Sequence, residues 1–327
     1  MASFANCWHA FRVVVDARFE WNPLAVHSLN RSVTGGMIKA LKCEVNPVEH
    51  CNLSCASCSH LSPAQKKFVV DPGDLERDLT LLSRHYHARW VRFVGGEPLL
   101  HPALPELIDA VRGSGVSDKV SLVTNGVLLP RLACAVWSRV DRIDVSQYPG
   151  AELSEEERAA CEQRARQHGV RIYFDRTTTF RISFSVPGAL SPDLTEGIYR
   201  SCGIVHDMRC HTVARGYFYK CPQSYFLPRT LTDAEIGWDR VRISRDPAFG
   251  AELREFLARD EPLEACRHCL GTSGRRIAHS QVRRRAFLVP QDHPTEALVD
   301  PRYLRRLGVL QRRAVAKARH RVGRDAA

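Results

Sequence analysis

Strand-like and helix-like runs alternate along the first half of this chain. From Leu41 onward the sequence reads LKCEV, DLERDLTLLSRH, WVRFV, LPELIDAVRGS, KVSLVTN, RLACAVWSRV, RIDVSQ, SEEERAACEQRARQHG and VRIYFD. Short apolar runs followed by amphipathic ones are typical of repeated βα units around a parallel sheet. In such folds the chemistry gathers where the carboxyl ends of the strands meet the following loops. The sequence therefore predicts an α/β fold with its site at that edge.

The alternation stops near residue 180, where the chain becomes rich in Cys, Pro and Arg. The stretch RCHTVARGYFYKC reads as two short strands joined at Arg215 and Gly216, which indicates a second, small module. The N-terminal residues show no clear period, and their role is not predicted. The expected segments are an N-terminal extension at 1–40, the main α/β unit at 41–180, the small α+β module at 181–275 and a basic C-terminal extension at 276–327.

The net charge of +11 is concentrated in the tail. Residues 270–327 hold 14 Lys or Arg and 4 Asp or Glu, so 14 − 4 = +10 lies there and about +1 is left for the rest. A basic run from Arg302 to Arg324 is suited to nucleic acid or an anionic surface, but a solvated helix explains it as well. No aromatic-interleaved basic patch accompanies it, so a nucleic-acid partner is not expected.

Twelve cysteines occur in a sequence without a recognisable secretory signal. No apolar run approaches the roughly 20 residues needed to cross a bilayer, so no membrane partner is expected. These features predict a cytoplasmic protein. In a reducing compartment, grouped thiols bind metal more often than they pair as disulfides.

Cys51, Cys55 and Cys58 lie on one short loop directly after the first predicted strand. Three thiolates leave a four-iron cluster with one open iron, a position where a small chelating molecule can bind. The alternative is a zinc site completed by His50 or His60.

With the cysteine motif CNLSCASC at 51–58 and GGEPLLHP at 95–102, the chain resembles the radical S-adenosylmethionine (SAM) superfamily. The resemblance implies a partial (β/α)6 barrel similar to a TIM barrel and a [4Fe-4S] cluster whose open iron binds SAM. It also implies reductive cleavage of SAM to a 5′-deoxyadenosyl radical, which takes a hydrogen atom from the substrate. A flavodoxin- or ferredoxin-type electron donor is the expected protein partner.

The same resemblance implies which residues bind SAM. Glu97 is expected to face the SAM ammonium group, and two glycines before it permit close backbone approach. Ser57 departs from the family, in which this position is usually an aromatic residue packed on adenine. The predicted cofactor-binding residues are Gly95, Gly96, Glu97, Thr124, Asn125 and Ser146.

A second group of cysteines follows a similar logic. Cys202-x13-Gly216-x4-Cys221 followed by Cys266-x2-Cys269 resembles the twitch module, a shortened SPASM domain that binds an auxiliary [4Fe-4S] cluster. Zinc is again the alternative. Because Cys210 also falls in this region, five cysteines compete for four positions, and either Cys202 or Cys210 is left over.

The substrate is inferred indirectly. The spacing is similar to that of 2-deoxy-scyllo-inosamine dehydrogenase-type enzymes, which implies oxidation or epimerisation of a sugar, cyclitol or nucleoside carbon in natural-product biosynthesis. A SPASM-type peptide maturase is the alternative. Polar residues after the strands are candidates for substrate contact, namely His101, Tyr148, Asp175 and Arg176. The predicted catalytic residues are Cys202, Cys210, Tyr148 and Arg176, with the surplus thiol as a hydrogen-atom donor.

Overall fold

The computed structural model describes residues 36–186, 189–231, 239–289, 295–300 and 302. Most of the predicted N-terminal extension and nearly all of the basic run beyond residue 300 therefore lie outside the described residues. The strands within these ranges are β1 (Ile38–Val45), β2 (Tyr86–Phe93), β3 (Val120–Thr124), β4 (Arg142–Gln147), β5 (Arg171–Arg176), β6 (Thr179–Arg181), β7 (His211–Ala214), β8 (Tyr217–Tyr219), β9 (Arg240–Arg242) and β10 (Arg276–Ala278).

The helices lie between the strands and mostly follow them in sequence. The α-helices of the described chain are α1 (Pro72–Ser83), α2 (Leu104–Ser114), α3 (Cys134–Trp137), α4 (Glu155–Gln167), α5 (Pro192–Arg200), α6 (Gly203–His206), α7 (Pro222–Leu231) and α8 (Phe249–Ala258). No helix in these ranges is long and apolar enough to cross a bilayer.

One sheet of eight strands organises the fold, in the order β5-β4-β3-β2-β1-β7-β8-β9. Strands β1 to β5 pair in parallel, and β7 adds a further parallel strand on the other side of β1. Strands β8 and β9 are antiparallel. The predicted α/β fold with a parallel sheet is confirmed. A separate two-stranded sheet pairs β6 with β10.

Side chains alternate between the two faces of the sheet. Val91, Phe93, Leu122 and Ile143 are fully buried in one large apolar core with residues of α1 and α2. The neighbouring strand positions on the opposite face are polar, as Glu44 illustrates. The helices therefore cover one face, and the other is free to carry polar chemistry.

Local signals in the sequence start and stop the helices. The Asp71 side chain accepts a hydrogen bond from the Asp74 amide at the start of α1, and Pro72 is the first helical residue. Ser154 and Glu157 form a reciprocal capping box on α4. Helix α2 ends at Gly115, which adopts the left-handed conformation that glycine permits.

The predicted hairpin at Arg215 and Gly216 is confirmed. Both residues have positive φ, 51° and 78°, as a tight two-residue turn between β7 and β8 requires. This hairpin continues the main sheet, because His211 and Thr212 of β7 pair with Cys43 and Glu44 of β1. The second half of the chain is thus joined to the first through a shared sheet.

Candidate active site

The cysteine loop, residues 49–62, follows β1 at the carboxyl edge of the parallel strands. It turns on a bond from the Cys58 amide to the Cys55 carbonyl, 3.3 Å, while the Leu53 amide donates to Cys51 Sγ at 3.4 Å. Burial raises the pKa of Cys51 to about 11. Burial, followed by the charges of Cys58 and Cys51, raises that of Cys55 to about 12. Such mutual influence means that the three thiols lie close together.

This donor set fits a polynuclear iron–sulfur cluster. Within the described ranges, no three His, Cys, Asp or Glu side chains converge on a single metal-ion position. A four-iron cluster does not require that convergence, because each thiolate binds a different iron. Bound iron would supply the positive charge that keeps each thiolate ionised.

The GGEP loop packs directly on the cysteine loop. The Gly96 amide donates to the Val48 carbonyl and the Glu97 amide to the His50 carbonyl, both at 3.0 Å. A Cβ atom on Gly96 would lie 1.8 Å from the His50 carbonyl oxygen, and Gly95 has a φ of +104°. The two glycines therefore allow two loops from neighbouring strands to touch through their backbones.

Glu97 is fully buried and ties the loop to β3. Its carboxylate accepts hydrogen bonds from Thr124 Oγ1 at 2.7 Å, from the Asn125 amide at 2.8 Å and from the Leu99 amide at 3.1 Å. Burial raises the pKa of Glu97 to about 7, although these three donors oppose the shift. The Glu97 carboxyl group is thus buried and held by three donors, beside the cysteine loop.

Two further predicted SAM-binding residues lie on the same edge. Asn125 Nδ2 donates to Asn52 Oδ1 at 2.7 Å and lies 3.6 Å from Cys51 Sγ. Ser146 is buried and contacts the Tyr148 hydroxyl, whose pKa is raised by burial and by the charge of Cys55. Of the six predicted cofactor-binding residues, Gly96, Glu97 and Asn125 therefore contact the cysteine loop directly.

His279 was not among the residues predicted from the sequence. This residue belongs to the predicted basic extension, yet its Nε2 lies 3.2 Å from Cys55 Sγ. Its ring stacks on Tyr148 with centroids 4.8 Å apart, and Phe180 packs edge-on against it at 5.1 Å. A histidine 224 residues after its cysteine partner leaves no local signal in the sequence.

Four cysteines of the second group influence one another, and the fifth, Cys210, does not belong with them. Burial, followed by the charge of Cys202, raises the pKa of Cys221 to about 12. Burial, followed by the charges of Cys202 and Cys221, raises the pKa of Cys269 well above its ordinary value. Burial, followed by the charges of the other three thiols, does the same to the pKa of Cys266. Cys210 lies elsewhere: after burial, the carboxylate that raises its pKa is Glu44, on the polar face of β1.

The polar face of the sheet carries buried ion pairs. Arg92 lies 3.2 Å from Glu44, and Arg142 lies 2.7 Å from Asp144 and 4.4 Å above the Tyr173 ring. Arg92 Nε and Asp144 Oδ2 are buried without a hydrogen-bond partner among the described residues. Such groups are costly to bury unless a ligand or water satisfies them.

Several residues predicted to contact the substrate instead bond to other protein groups or face solvent. His101 Nε2 lies 2.8 Å from the Val70 carbonyl oxygen, and its Nδ1 accepts from the Ala103 amide at 3.1 Å. Asp175 accepts from the Thr177 hydroxyl at 3.0 Å. The Arg176 side chain is 74% exposed and 4.0 Å from Glu152. Among the predicted catalytic residues, Tyr148 lies against the cysteine loop, whereas Arg176 faces solvent.

Part of the chain is similar to known proteins. Residues 45–148 match the family model of the radical SAM superfamily. GTP 3′,8-cyclase of Chlorobaculum tepidum is 36% identical over 97 residues, 29% of this chain and 29% of that protein. The probable GTP 3′,8-cyclase of Methanococcus maripaludis strain S2 is 30% identical over 113 residues, 34% of this chain and 37% of that protein. The chain thus spans about a third of the length of these curated relatives.

Two solved structures are also similar in part. BtrN in complex with AdoMet and 2-DOIA aligns with a TM-score of 0.43 and 16% identity, over 72% of this chain and 94% of that one. Streptococcus suis SuiB bound to S-adenosylmethionine aligns with a TM-score of 0.32 and 18% identity, over 41% of this chain and 33% of that one. Residues 45–148 match the radical SAM superfamily, and that superfamily implies a [4Fe-4S] cluster and SAM.

Proposed function

We propose that this protein is a radical SAM enzyme that oxidises or epimerises a carbon of a sugar, cyclitol or nucleoside in natural-product biosynthesis. One observation carries the proposal. The cysteine loop of the radical SAM domain and the buried Glu97 carboxylate meet at the carboxyl edge of the sheet, next to a polar face with unsatisfied donors and acceptors.

Cys51, Cys55 and Cys58 would hold the first cluster, and when bound it supplies the electron that cleaves SAM to a 5′-deoxyadenosyl radical. The residues around the loop would hold and orient SAM. Burial raises the pKa of Glu97 to about 7, and an ammonium group beside it would favour the ionised carboxylate. The electron is proposed to come from a flavodoxin- or ferredoxin-type protein.

The polar face supports a polyhydroxylated substrate. Arg92 Nε is an unsatisfied donor and Asp144 Oδ2 an unsatisfied acceptor. They lie on one face, because Arg92 pairs with Ser121 of β3, and Asp144 pairs with Val123 two positions further along that strand. A hydroxyl group both donates and accepts, so a ring bearing several hydroxyls complements such a surface. The matched cyclases are named for GTP, and a nucleoside is one of the three proposed classes.

A second [4Fe-4S] cluster is proposed on Cys202, Cys221, Cys266 and Cys269. The mutual electrostatic influence of these four thiols supports this set over one containing Cys210. An auxiliary cluster provides an electron acceptor when a substrate radical becomes a ketone. Cys210, near Glu44 and Lys42 on the polar face, is then the proposed surplus thiol that could donate a hydrogen atom in an epimerisation.

The first test is reductive SAM cleavage by anaerobically reconstituted protein. With dithionite, the wild type is expected to form 5′-deoxyadenosine, and the Cys51→Ala/Cys55→Ala/Cys58→Ala variant none above background. The Cys43→Ala variant is the matched control, because Cys43 lies in the apolar core. Equal product from the triple variant and the wild type would overturn the assignment.

Iron content tests the second cluster. About eight irons per chain are expected in the wild type and about four in the triple variant. Cys202→Ser should lose or destabilise the second cluster, whereas Cys210→Ser should keep both. The reverse pattern would place Cys210 in the cluster.

The reaction type and substrate class are tested with candidate sugars, cyclitols and nucleosides in D2O. A product two hydrogens lighter indicates dehydrogenation, and one solvent deuterium at an inverted carbon indicates epimerisation. Turnover of a peptide alone would replace this proposal by the maturase alternative.

A further inference from the structure

Residues 279–284 form a short segment that lies antiparallel against the cysteine loop. The Ala56 amide donates to the Ser280 carbonyl at 2.9 Å, and the Val282 amide donates to the Ser54 carbonyl at 2.8 Å. Cys55 and Gln281 form the β-bridge between these bonds. Arg284 adds a side-chain bond to the Cys51 carbonyl at 3.0 Å. The segment is therefore paired to the loop that carries all three cysteines.

The segment is fixed at its other end by the small sheet. Strand β10, immediately before His279, pairs antiparallel with β6. The His279 amide continues that pairing by donating to the Thr178 carbonyl at 2.9 Å. His279 thus stands where one end of the segment is held by β6 and the other by the cysteine loop.

The His279 ring is held in one orientation by aromatic contacts on two sides. Tyr148 stacks on it with an angle of 13° between the planes, and Phe180 packs edge-on at 76°. In this orientation Nε2 points at Cys55 Sγ, 3.2 Å away.

A cluster-bound Cys55 fixes which atom carries the proton. A thiolate that ligates iron has no hydrogen, so the hydrogen in this contact must reside on Nε2. An N–H group that donates to a cluster sulfur stabilises the more negative, reduced state more than the oxidised one. Such donors therefore raise the reduction potential of the cluster.

We propose that His279 is a positioning residue that donates its Nε2–H to the Cys55 thiolate and thereby raises the reduction potential of the first cluster. This inference rests on the proposed function, because it requires a cluster on Cys51, Cys55 and Cys58. It gives the C-terminal segment a direct role in how easily the enzyme accepts its electron.

The test is an anaerobic redox titration of full-length, reconstituted protein, monitored by electron paramagnetic resonance. The first cluster is identified as the signal missing from the Cys51→Ala/Cys55→Ala/Cys58→Ala variant. His279→Phe keeps an aromatic ring on Tyr148 but removes the donor, and His279→Gln offers an N–H group again. Ser280→Ala is the matched control, because Ser280 is exposed and its pairing uses the backbone.

The midpoint potential of the first cluster is expected to fall in His279→Phe. The expected size is about a tenfold drop in the ratio of reduced to oxidised cluster at a fixed potential, which is 59 mV for a one-electron couple. His279→Gln should recover part of the shift, and Ser280→Ala should match the wild type. Full iron content with an unchanged midpoint in His279→Phe would overturn the proposal.

A loss of about four irons in both His279→Phe and His279→Leu would also overturn it, because His279 would then be needed to assemble the cluster. Failure of the underlying function has a different signature. If the triple cysteine variant binds as much iron as the wild type, the first cluster is absent, and the proposed function fails before His279 is tested.

Discussion

His211 is a fully buried histidine on β7, next to the first strand of the sheet. Its Nδ1 lies 3.0 Å from the Tyr86 hydroxyl, and its ring packs on Phe218. Burial, and then the nearby cations Arg209 and Lys220, lower the pKa of His211 to about 3. The folded protein therefore holds this imidazole neutral at a pH where an unfolded chain would protonate it.

The consequence is a loss of stability on acidification. Because the folded pKa is lower than the unfolded value of about 6.5, the contribution of His211 is fully present above that pH and is lost as the pH falls below it. This residue should lower the free energy of unfolding by about 1 kcal/mol between pH 7 and pH 5.5. Thermal unfolding at both pH values should show a smaller difference for His211→Gln than for the wild type.

His87→Gln is the control, because His87 is a partly exposed histidine on β2. The difference in stability between pH 7 and pH 5.5 should be reduced more by His211→Gln than by His87→Gln. If His211→Gln retained the full difference between pH 7 and pH 5.5, another group would be responsible.

Individual residues were predictable from sequence only where a motif is local. Cys51, Cys55 and Cys58 lie within a stretch of eight residues, so their spacing alone predicts that they are neighbours. His279 and the choice between Cys202 and Cys210 depend on contacts between distant segments. Five cysteines over 68 residues do not indicate which four are neighbours, and only the folded chain separates them.

Among the elements, the GGEP loop and the cysteine loop are in direct backbone contact. Gly96→Ala places a Cβ against the His50 carbonyl, so one loop must move. We expect the free energy of unfolding to fall by about 1–3 kcal/mol, as is typical of overpacking. We also expect less iron to be bound at the first cluster site. Thermal unfolding and iron analysis measure the two effects.

Gly197→Ala is the matched control, because Gly197 lies within α5 and nothing would contact its Cβ within 4 Å. That change should stabilise the helix by about 0.5–1 kcal/mol. Equal stability of the two variants would show that the loops tolerate a side chain between them.

The regular elements of the first half followed the predicted order, because hydrophobic period and punctuation are local properties. The run RLACAVWSRV was the exception. It forms a helix only over Cys134–Trp137, where Val136 and Trp137 enter the core. The pairing of β6 with β10 had no sequence signal, since each strand has three residues and they lie about 100 residues apart.

At the scale of the whole molecule, Glu49 joins the two halves of the chain. It lies at the start of the cysteine loop and is 2% exposed. One carboxylate oxygen accepts bonds from Arg215 and Arg229 at 3.1 Å and from the Tyr225 hydroxyl. These three residues come from the β7–β8 turn and from α7, directly after Cys221. The network therefore links the loops of both proposed clusters.

Glu49→Gln should destabilise the protein by about 1.5–3 kcal/mol, the range for a hydrogen bond to a charged group, because two arginines lose their counter-charge. Asp74→Asn is the contrast. Asp74 pairs with Arg77 at the surface, with both side chains more than half exposed, and its loss should cost at most about 1 kcal/mol. Thermal unfolding of both variants compares them, and equal losses would contradict the proposed link.

The overall architecture was only partly predictable. The sequence indicated two units, whereas β7 to β9 extend the sheet of the first. Pairing between Cys43 of β1 and His211 of β7 spans 168 positions, and no local pattern specifies such a partner. The parallel pairing of β1 to β5 was predictable, because strand-like runs alternate with helix-like runs along residues 41–180.

The pairing of residues 279–284 with the cysteine loop also has a consequence for how the protein is made. A ribosome adds roughly 5–20 residues per second, so about 10–45 s separate the synthesis of Cys55 from that of His279, 224 residues later. During that interval the three thiols are present on a nascent chain without the segment that flanks them. The cysteine loop therefore pairs with its partner segment only after nearly all of residues 1–284 have been translated.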